Sequence, residues 1–352
     1  MENVITSELG QRWSELLRTE PQLRIRNAAE KLGVSEVELL NTRLGQGVTR
    51  LSDDVRAIVG EIGTLGHVMA LTRNNDVVHE RKGVYLDPAI NPGPVGLFVG
   101  KDIDLRIFWA PWGSAFAVEE PGKTGPRLSL QFFATDGEAM HKVYLTEQSD
   151  EAAFRALVEK FAVIDPAPLE LKPWPQEPAE LSDAQVDVEA FRSEWRALKD
   201  THDFHGLVRK HRLSRTQALR LAPEGEYAVR VRPSALRATL TAAAARAVPI
   251  MVFVGNKGMI QIHSGVVEKL MDVPGWFNVI DPLFNLHVRE AAIAQAWIVR
   301  KPTTDGMVTA LECFDADGVQ IVQVFGARKP GIPELESWRT IAAEVQRNEA
   351  IG

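Results

Sequence analysis

Residues 195–211 read WRALKDTHDFHGLVRKH, and the rest of the chain is interpreted outward from this stretch. It contains three of the eight histidines of the 352-residue chain and follows the proline-rich part of the sequence. As one helix it would place Trp195, Leu198, His202 and His205 on a single face, because they recur at steps of three and four. Two imidazoles on an otherwise apolar face have two explanations. They are core histidines bonded to nearby carbonyls, or they meet a flat apolar ligand that carries a metal.

The composition is that of a soluble globular protein with length enough for two domains. The chain is 45% hydrophobic and 25% charged, with a net charge of −7 and a sequence pI of about 5.7. This balance argues against nucleic-acid binding through a broad basic surface. The first 16 residues lack the apolar core of a signal peptide, and no apolar run approaches membrane-spanning length. We therefore expect a cytoplasmic protein without membrane insertion.

The single cysteine, Cys313, cannot form an internal disulfide. It lies in a strand-like run, and we expect it to be a small buried hydrophobic residue. One cysteine also excludes the common cysteine-based zinc sites.

The chain repeats itself at a distance of about 180 residues, which indicates an internal duplication. Trp195 has a counterpart in Trp13, and FDADG at residues 314–318 has one in FATDG at residues 133–137. In both halves, short helices precede a run of short strands and a closing helix. The sequence therefore predicts an α+β fold built by tandem duplication, with short helices plus a large antiparallel β-sheet in each half. Its predicted parts are an N-terminal repeat, a proline-rich linker and a C-terminal repeat that carries the histidines, at residues 1–162, 163–187 and 188–352.

The duplication also bears on the histidines. Where the second half has His202 and His205, the first half has the sequence EPQL at residues 20–23. A residue present in one copy only is not required by the shared fold. The comparison therefore favours a functional role for both histidines.

Two strands carry unusual polar residues. In DLRIFW, residues 104–109, alternation places the leucine, isoleucine and tryptophan on a core face, and Arg106 and Phe108 on the opposite face. That opposite face is either a cleft wall or a solvated surface with an Asp104–Arg106 pair. Gln323 stands alone among the apolar residues of IVQVF, so it must bond to the backbone or face a ligand.

Several long motifs together resemble one family. They are EWRALKDTHDFH at 194–205, DLRIF at 104–108, IMVFVGNKG at 250–258, GVVEK at 265–269, AWIVRKPTTDG at 296–306 and VQVFGAR at 322–328. These resemble the HemS/ChuS/PhuS family, the cytoplasmic haem-trafficking and haemin-degrading proteins of Gram-negative haem-uptake operons. The resemblance covers nearly the whole chain, including the duplication and the proline-rich joint.

The resemblance implies one haem b bound in a cleft between the halves, with His202 as the axial ligand of its iron. It implies that Arg106 is the distal residue, with Phe108 beside the macrocycle, and both His202 and Arg106 would take part in any catalysis. The residues that it implies near the propionates are Arg215, Lys301, Gln323 and Arg328, and Phe325 is a further implied haem-binding residue. The family often has tyrosine at the position of Phe325, so a hydroxyl contact is not expected there. His205, one turn past His202, is expected to be an alternative iron ligand.

Three functions follow as alternatives. The first is a carrier that takes haem from an importer and passes it to a haem oxygenase. The second is an enzyme that itself opens the porphyrin with oxygen or peroxide and a reductant, releasing iron. The third is a protein–protein module in which the histidines belong to the core. The presence of His205 favours the carrier, because a second ligand would compete with oxygen for the iron. The chain is expected to be a monomer or a weak dimer.

Overall fold

The computed structural model describes residues 8–90, 92–122, 125–175, 180–329 and 331–351. The three predicted parts of the chain each include a few residues outside these ranges. The chain divides into two compact units, and each takes a short segment from the other half of the sequence. The first unit comprises the described residues of Met1–Thr72, Arg81–Pro175 and Asn256–Ile260. The second comprises those of Arg73–Glu80, Gln176–Gly255 and Gln261–Gly352.

The first unit begins with helices and continues with strands, as the sequence predicts. Its helices are α1 (Glu8–Thr19), α2 (Ile25–Leu32), α3 (Glu36–Asn41), α4 (Val55–Glu61) and α5 (Glu151–Phe161). Strands of the first half are β1 (Val48–Arg50), β2 (Gly66–Arg73), β3 (Val77–Val84), β4 (Val95–Val99), β5 (Asp104–Phe108), β6 (Trp112–Pro121), β7 (Pro126–Ala134) and β8 (Ala139–Ser149). Antiparallel pairing gives the order β1–β6–β7–β8–β2, and β4 forms a hairpin with β5.

The second unit follows the same order of elements. Its helices are α6 (Val188–Arg196), α7 (Asp203–Lys210), α8 (Arg215–Arg220), α9 (Ala235–Ala245) and α10 (Glu336–Glu349). Strands of the second half are β9 (Ala228–Val231), β10 (Ile250–Asn256), β11 (Met259–Gly265), β12 (Leu270–Val273), β13 (Trp276–Ile280), β14 (Phe284–Val288), β15 (Gln295–Thr303), β16 (Gly306–Phe314) and β17 (Gln320–Gly326). Antiparallel pairing gives β10–β17–β16–β15–β9 and, separately, β14–β13–β12.

Local details confirm the predicted duplicated α+β fold. Ser35 caps α3 within a capping box by accepting from the Glu38 amide, and the Ser214 side chain caps α8 by accepting from the Gln217 amide. The register of β7 with β8 shifts at Phe133, and that of β16 with β17 shifts at the corresponding Phe314. The same cap and the same irregularity recur in each copy, so the repeat extends to fine structure.

The sheet that contains β16 is covered on both faces. On one face, Leu240 of α9 and Ile341 of α10 belong to a core with Val252, Val324 and other strand residues. Helices α6 to α8 cover part of the opposite face and share a second core with β15 and β16. Members of this second core include Phe191, Trp195, Phe204, Leu207, Trp297, Val299 and Phe314. The site described next lies around this second core.

Two further predictions concern single features. Cys313 is fully buried in the first of these cores, which confirms its role as a small hydrophobic residue. Among the described residues, no helix has the length and apolar character needed to cross a bilayer.

Candidate functional site

The predicted continuous helix over residues 195–211 is wrong. Helix α6 ends at Arg196, and α7 begins only at Asp203, with His202 as its N-cap residue. The Asp200 carboxylate accepts a hydrogen bond from the His202 amide at 2.8 Å. An aspartate that bonds to the backbone in this way offers the chain an alternative to helical hydrogen bonds, which accounts for the break.

The break changes which side chains share the buried face. Trp195 and Leu198 are buried, but the next core residues are Phe204 and Leu207 and not the two histidines. The indole ring of Trp195 lies 4.4 Å from the ring of Phe204, between centroids, and its Nε1 donates to the Arg300 carbonyl. The prediction that both imidazoles lie on this apolar face is therefore wrong, because the turn at Asp200 rotates them outward.

His202 is 90% exposed and held in place by one carboxylate. Its Nδ1 lies 2.6 Å from Asp200 Oδ1, and because a carboxylate only accepts, Nδ1 is the donor. This hydrogen bond fixes the tautomer and leaves Nε2 as the ring nitrogen with a free lone pair. The explanation of His202 as a core histidine is excluded by its exposure.

His205 is also exposed, on the first turn of α7. Its backbone amide donates to the His202 carbonyl at 3.3 Å, so the two residues are one turn apart. Both imidazoles are therefore exposed to solvent at the N-terminal end of α7.

Arg328 lies in the surroundings of Asp200. The hydrogen bond from the His202 backbone amide is the main cause that lowers the pKa of Asp200, and the charge of Arg328 also lowers it. Its guanidinium donates to Asp305 at 3.0 Å, while its buried Nε has no hydrogen-bond partner among the described residues. The Thr304 amide donates to the Lys199 carbonyl, which ties the turn between α6 and α7 to the turn between β15 and β16. The structure thus brings Arg328 to the region of His202.

Arg215 and Lys301 meet at one buried carboxylate, that of Glu312. Arg215 donates to it through Nε at 2.9 Å and Nη2 at 2.7 Å, and Lys301 donates through Nζ at 2.9 Å. Both cations also lie over the ring of Phe204, at 4.5 and 4.8 Å from its centroid. Arg215 and Lys301, two of the residues implied near the propionates, are therefore neighbours, and both contact Phe204 of α7.

The charges of this cluster perturb one another. Burial is the main cause that lowers the pKa of Lys301 to about 8, assisted by the charge of Arg215 and opposed by Glu312. Burial by itself would raise the pKa of Glu312, but Arg215 and Lys301 overcome it and lower the value to about 2. Glu312 is therefore ionised throughout the physiological range.

Gln323 and Phe325 lie on the same sheet face as Glu312. Gln323 is directly opposite Glu312 in the pairing of β16 with β17, and opposite Phe253 in the pairing of β10 with β17. The rings of Phe253 and Phe325 are 5.0 Å apart between centroids, and both are partly exposed. These residues form a half-open aromatic surface with one amide, which suits contact with a flat apolar ligand.

Arg106 and Phe108 lie on β5 in the first unit. The predicted alternation is confirmed, because Leu105 and Ile107 are fully buried while Arg106 and Phe108 are partly exposed. Arg106 forms an ion pair with Asp104, whose pKa is raised by burial against the opposing effect of Arg106. The Asp104–Arg106 pair that the sequence offered as one interpretation is thus present, but it is partly buried and not fully solvated.

Three residues of the candidate site, Glu312, Asp200 and Phe204, were not predicted from the sequence. Glu312 stands between Leu311 and Cys313 in an apolar strand, which is the signal that singled out Gln323. Asp200 gave no such signal, because its importance depends on the turn that it forms. Among the described residues, no cluster of three or more metal-ligating side chains occurs.

Comparisons with known proteins extend over nearly the whole chain. A family model of the haemin-degrading HemS.ChuX domain matches residues 33–161 and again residues 212–345. The hemin transport protein HemS of Yersinia enterocolitica is 40% identical over 325 residues, 92% of this chain and 93% of that protein. Holo-PhuS, a heme-binding protein from Pseudomonas aeruginosa, is 49% identical with a TM-score of 0.92, over 95% of this chain and 97% of that one. ChuS, a heme degrading enzyme of Escherichia coli O157:H7, is 38% identical with a TM-score of 0.89, over 95% and 97%.

Proposed function

This chain belongs to the family of haemin-degrading HemS proteins, and on that premise we propose that it binds haem and carries it within a haem-uptake system. The proposed cargo is haem b, and the proposed axial ligand is His202. The proposed donor of haem is an importer, and the proposed acceptor is a haem oxygenase.

The observation that carries the proposal is the state of His202. Its imidazole is 90% exposed, and its Nδ1 is held by Asp200. Histidines that ligate metals usually donate their other ring nitrogen to a carboxylate or carbonyl, which orients the ring and makes the ligating nitrogen more basic. An exposed imidazole that is already oriented binds iron without a further ordering cost.

The other residues of the second unit fit the same ligand. Haem has two carboxylates, an apolar macrocycle and an iron that accepts imidazole. Arg215, Lys301 and Arg328 provide cationic groups for the carboxylates, and Phe325 with Gln323 provides a flat surface. The buried Nε of partly exposed Arg328, which has no partner among the described residues, is a donor that a carboxylate could satisfy. Bound iron would supply the chemistry of ligand exchange, while the chain's own side chains hold and orient the pigment.

Arg106 and Phe108 of the first unit are proposed as the distal residues. Support for this role comes from the family motif DLRIF and from the partial exposure of the Arg106 side chain. An arginine is suited to hold a water or hydroxide next to iron, because its guanidinium donates several hydrogen bonds in a fixed plane.

Carriage is favoured over degradation by the exposure of His205 one turn from His202. A second imidazole within reach of the same iron would compete with oxygen and would offer a way to exchange ligands during transfer. The relatives in the two Yersinia species are hemin transport proteins, in agreement with this choice.

Degradation of haem is the second candidate, and a specific comparison favours it. The chain is 37% identical to a ChuS structure described as an E. coli heme oxygenase, with a TM-score of 0.87. The same ligand residues would serve both functions, so the products must separate them.

One experiment separates the candidates. Haemin is added to the purified protein, ascorbate is supplied in air, and absorbance is followed. A carrier gives a Soret band that forms and persists. An enzyme gives a Soret band that decays while biliverdin-like absorbance grows. No change in the Soret band on adding haemin would contradict both candidates.

A further inference from the structure

Glu312 is a buried carboxylate that organises the cations of the candidate site. It is fully buried on β16 and accepts four hydrogen bonds, two from Arg215, one from Lys301 and one from Gln320. A buried carboxylate needs such partners, because an unpaired charge in this position would be strongly destabilising. The arrangement explains how two cations are kept side by side on the ring of Phe204.

The shared fold does not require this cluster. Glu312 lies two residues before Phe314, and the corresponding residue two before Phe133 is Gln131. Arg215 is the first residue of α8 after the capping Ser214, and the first residue of α3 after the capping Ser35 is an acid, Glu36. In the first repeat, Glu36 instead forms a buried ion pair with Lys142, so one carboxylate meets one cation. Two cations on one carboxylate are thus a property of the second repeat alone.

The cluster presents Arg215 outward. Nε and Nη2 of Arg215 face Glu312, and no described residue accepts from Nη1, while 22% of the side chain is exposed. Lys301 is only 5% exposed, so it contributes positive charge to the cluster but has little surface for direct contact with a ligand. The guanidinium is therefore fixed on one edge and available on the other, which is the geometry for a bidentate or single contact to a ligand carboxylate.

We propose that Glu312 is a positioning residue for the carboxylates of the bound tetrapyrrole, acting through Arg215. This inference rests on the proposed function. Glu312 holds the guanidinium in one orientation against Phe204, and it leaves one net positive charge in the cluster of two cations and one carboxylate. A single preoriented positive charge suits one propionate, because the ordering of Arg215 is complete before the ligand arrives.

Replacement by glutamine isolates positioning from charge. Glu312 is the group that raises the pKa of Lys301, against burial and the charge of Arg215, which together hold that pKa near 8. Without Glu312 the pKa of Lys301 falls further, so we expect the lysine of Glu312→Gln to be largely neutral near pH 7.5. The cluster then still has one net positive charge, that of Arg215, but its guanidinium has lost its partner.

The test compares haemin with haemin dimethyl ester, in which both carboxylates are blocked. Wild type, Glu312→Gln and the control Glu334→Gln are titrated with each pigment near pH 7.5. Glu334 is a matched control, because it is another buried carboxylate that hydrogen-bonds to β16, through Thr309. We expect Glu312→Gln to bind haemin about tenfold more weakly, with affinity for the ester within about twofold of wild type. The Soret position should be unchanged, and Glu334→Gln should resemble wild type with both pigments.

The pH profile gives a second readout that a merely structural residue would not move. The charged groups that face Lys301 are Arg215 from α8 and Glu312 from β16. Wild-type affinity for haemin should fall above about pH 8 as Lys301 loses its proton. In Glu312→Gln the fall should begin at a lower pH.

Three outcomes would overturn the inference: full haemin affinity in Glu312→Gln, equal losses for haemin and ester, or an unchanged pH profile. If Glu312→Gln does not fold, Arg215→Lys tests the same claim, because lysine keeps the charge but cannot hold two bonds to Glu312. It should show the same selective loss for haemin, and wild-type affinity would overturn the inference. Failure of the wild type to bind haemin would instead refute the proposed function.

Discussion

Asp200 Oδ1 lies 2.6 Å from His202 Nδ1, and the same oxygen accepts from the His202 amide at 2.8 Å. One carboxylate oxygen thus accepts the backbone hydrogen bond in the turn before α7. The same oxygen orients the imidazole of His202, the N-cap residue of that helix. The local fold and the proposed ligand have the same cause, because the bond that interrupts the helix also turns the imidazole outward.

The first prediction concerns this carboxylate. Asp200→Ala should weaken haemin binding by about tenfold, because outer partners of metal-ligating histidines typically contribute that much to affinity. Asp200→Asn is the matched control, since its amide oxygen can still accept from Nδ1, and its loss should be smaller. Spectroscopic titration measures both affinities. Equal affinity in Asp200→Ala and wild type would contradict the orienting role.

The second prediction concerns acid stability. Glu312 has its pKa lowered to about 2 in the folded protein, against 4.5 ordinarily. Its stabilising contribution is therefore complete above pH 4.5 and is lost as pH falls through about 2, and it is on the order of 3 kcal/mol. The stability difference between wild type and Glu312→Gln should shrink over that range in urea unfolding. A difference that stays constant from pH 5 to pH 2 would show that Glu312 does not titrate as described.

The third prediction concerns the core beneath the site. Trp195 is fully buried, packs against Phe191 and Phe204, and donates to the Arg300 carbonyl. Trp195→Ala should lower the free energy of unfolding by about 3–5 kcal/mol, as large buried aromatics do. Exposed Arg196 on the same helix provides the control, and Arg196→Ala should change stability by less than about 0.5 kcal/mol. Urea unfolding measures the free energy of unfolding of both variants. Similar decreases in the two would contradict the assignment of this core.

The fourth prediction concerns the first unit. Arg106→Ala should alter the distal ligand of bound haem, and so the visible spectrum, more than it alters affinity. The reason is that an arginine beside the iron holds a small ligand but adds little contact with the macrocycle. Absorption spectra and titrations of the same samples provide the comparison. A large loss of affinity with an unaltered spectrum would count against the distal role.

The sequence predicted the architecture well because its signals are periodic and repeated. The alternation around Leu105 and Ile107 gave the faces of β5, and the spacing of Trp195 and Leu198 correctly predicted that both are buried. The duplication gave the fold class, since two matching series of elements constrain each other. The residue pattern singled out His202, His205, Arg106, Phe108 and Gln323. The family motifs supplied their proposed roles and added Arg215, Lys301, Phe325 and Arg328.

The features that the sequence did not predict depend on contacts between side chains far apart in the chain, or on local competition between side-chain and helical hydrogen bonds. The hydrogen bonds of Asp200 end a helix that the apolar period alone would continue through His202. Glu312 meets Arg215 only after folding, since 97 positions separate them. The pattern within one strand cannot identify a partner at that distance. A lone acidic residue among apolar residues indicates only that a hydrogen-bond partner is needed.

The most direct test of the account is a haemin titration of wild type, His202→Ala and the double variant His202→Ala/His205→Ala, followed by the Soret band. Both replaced imidazoles are exposed, so we expect the fold to be preserved in each case, which circular dichroism should verify. We predict a weaker affinity and a changed spectrum for His202→Ala, and a further loss for the double variant, in which neither imidazole can ligate the iron. A double variant with the affinity and spectrum of wild type would contradict the central claim that His202 holds the haem.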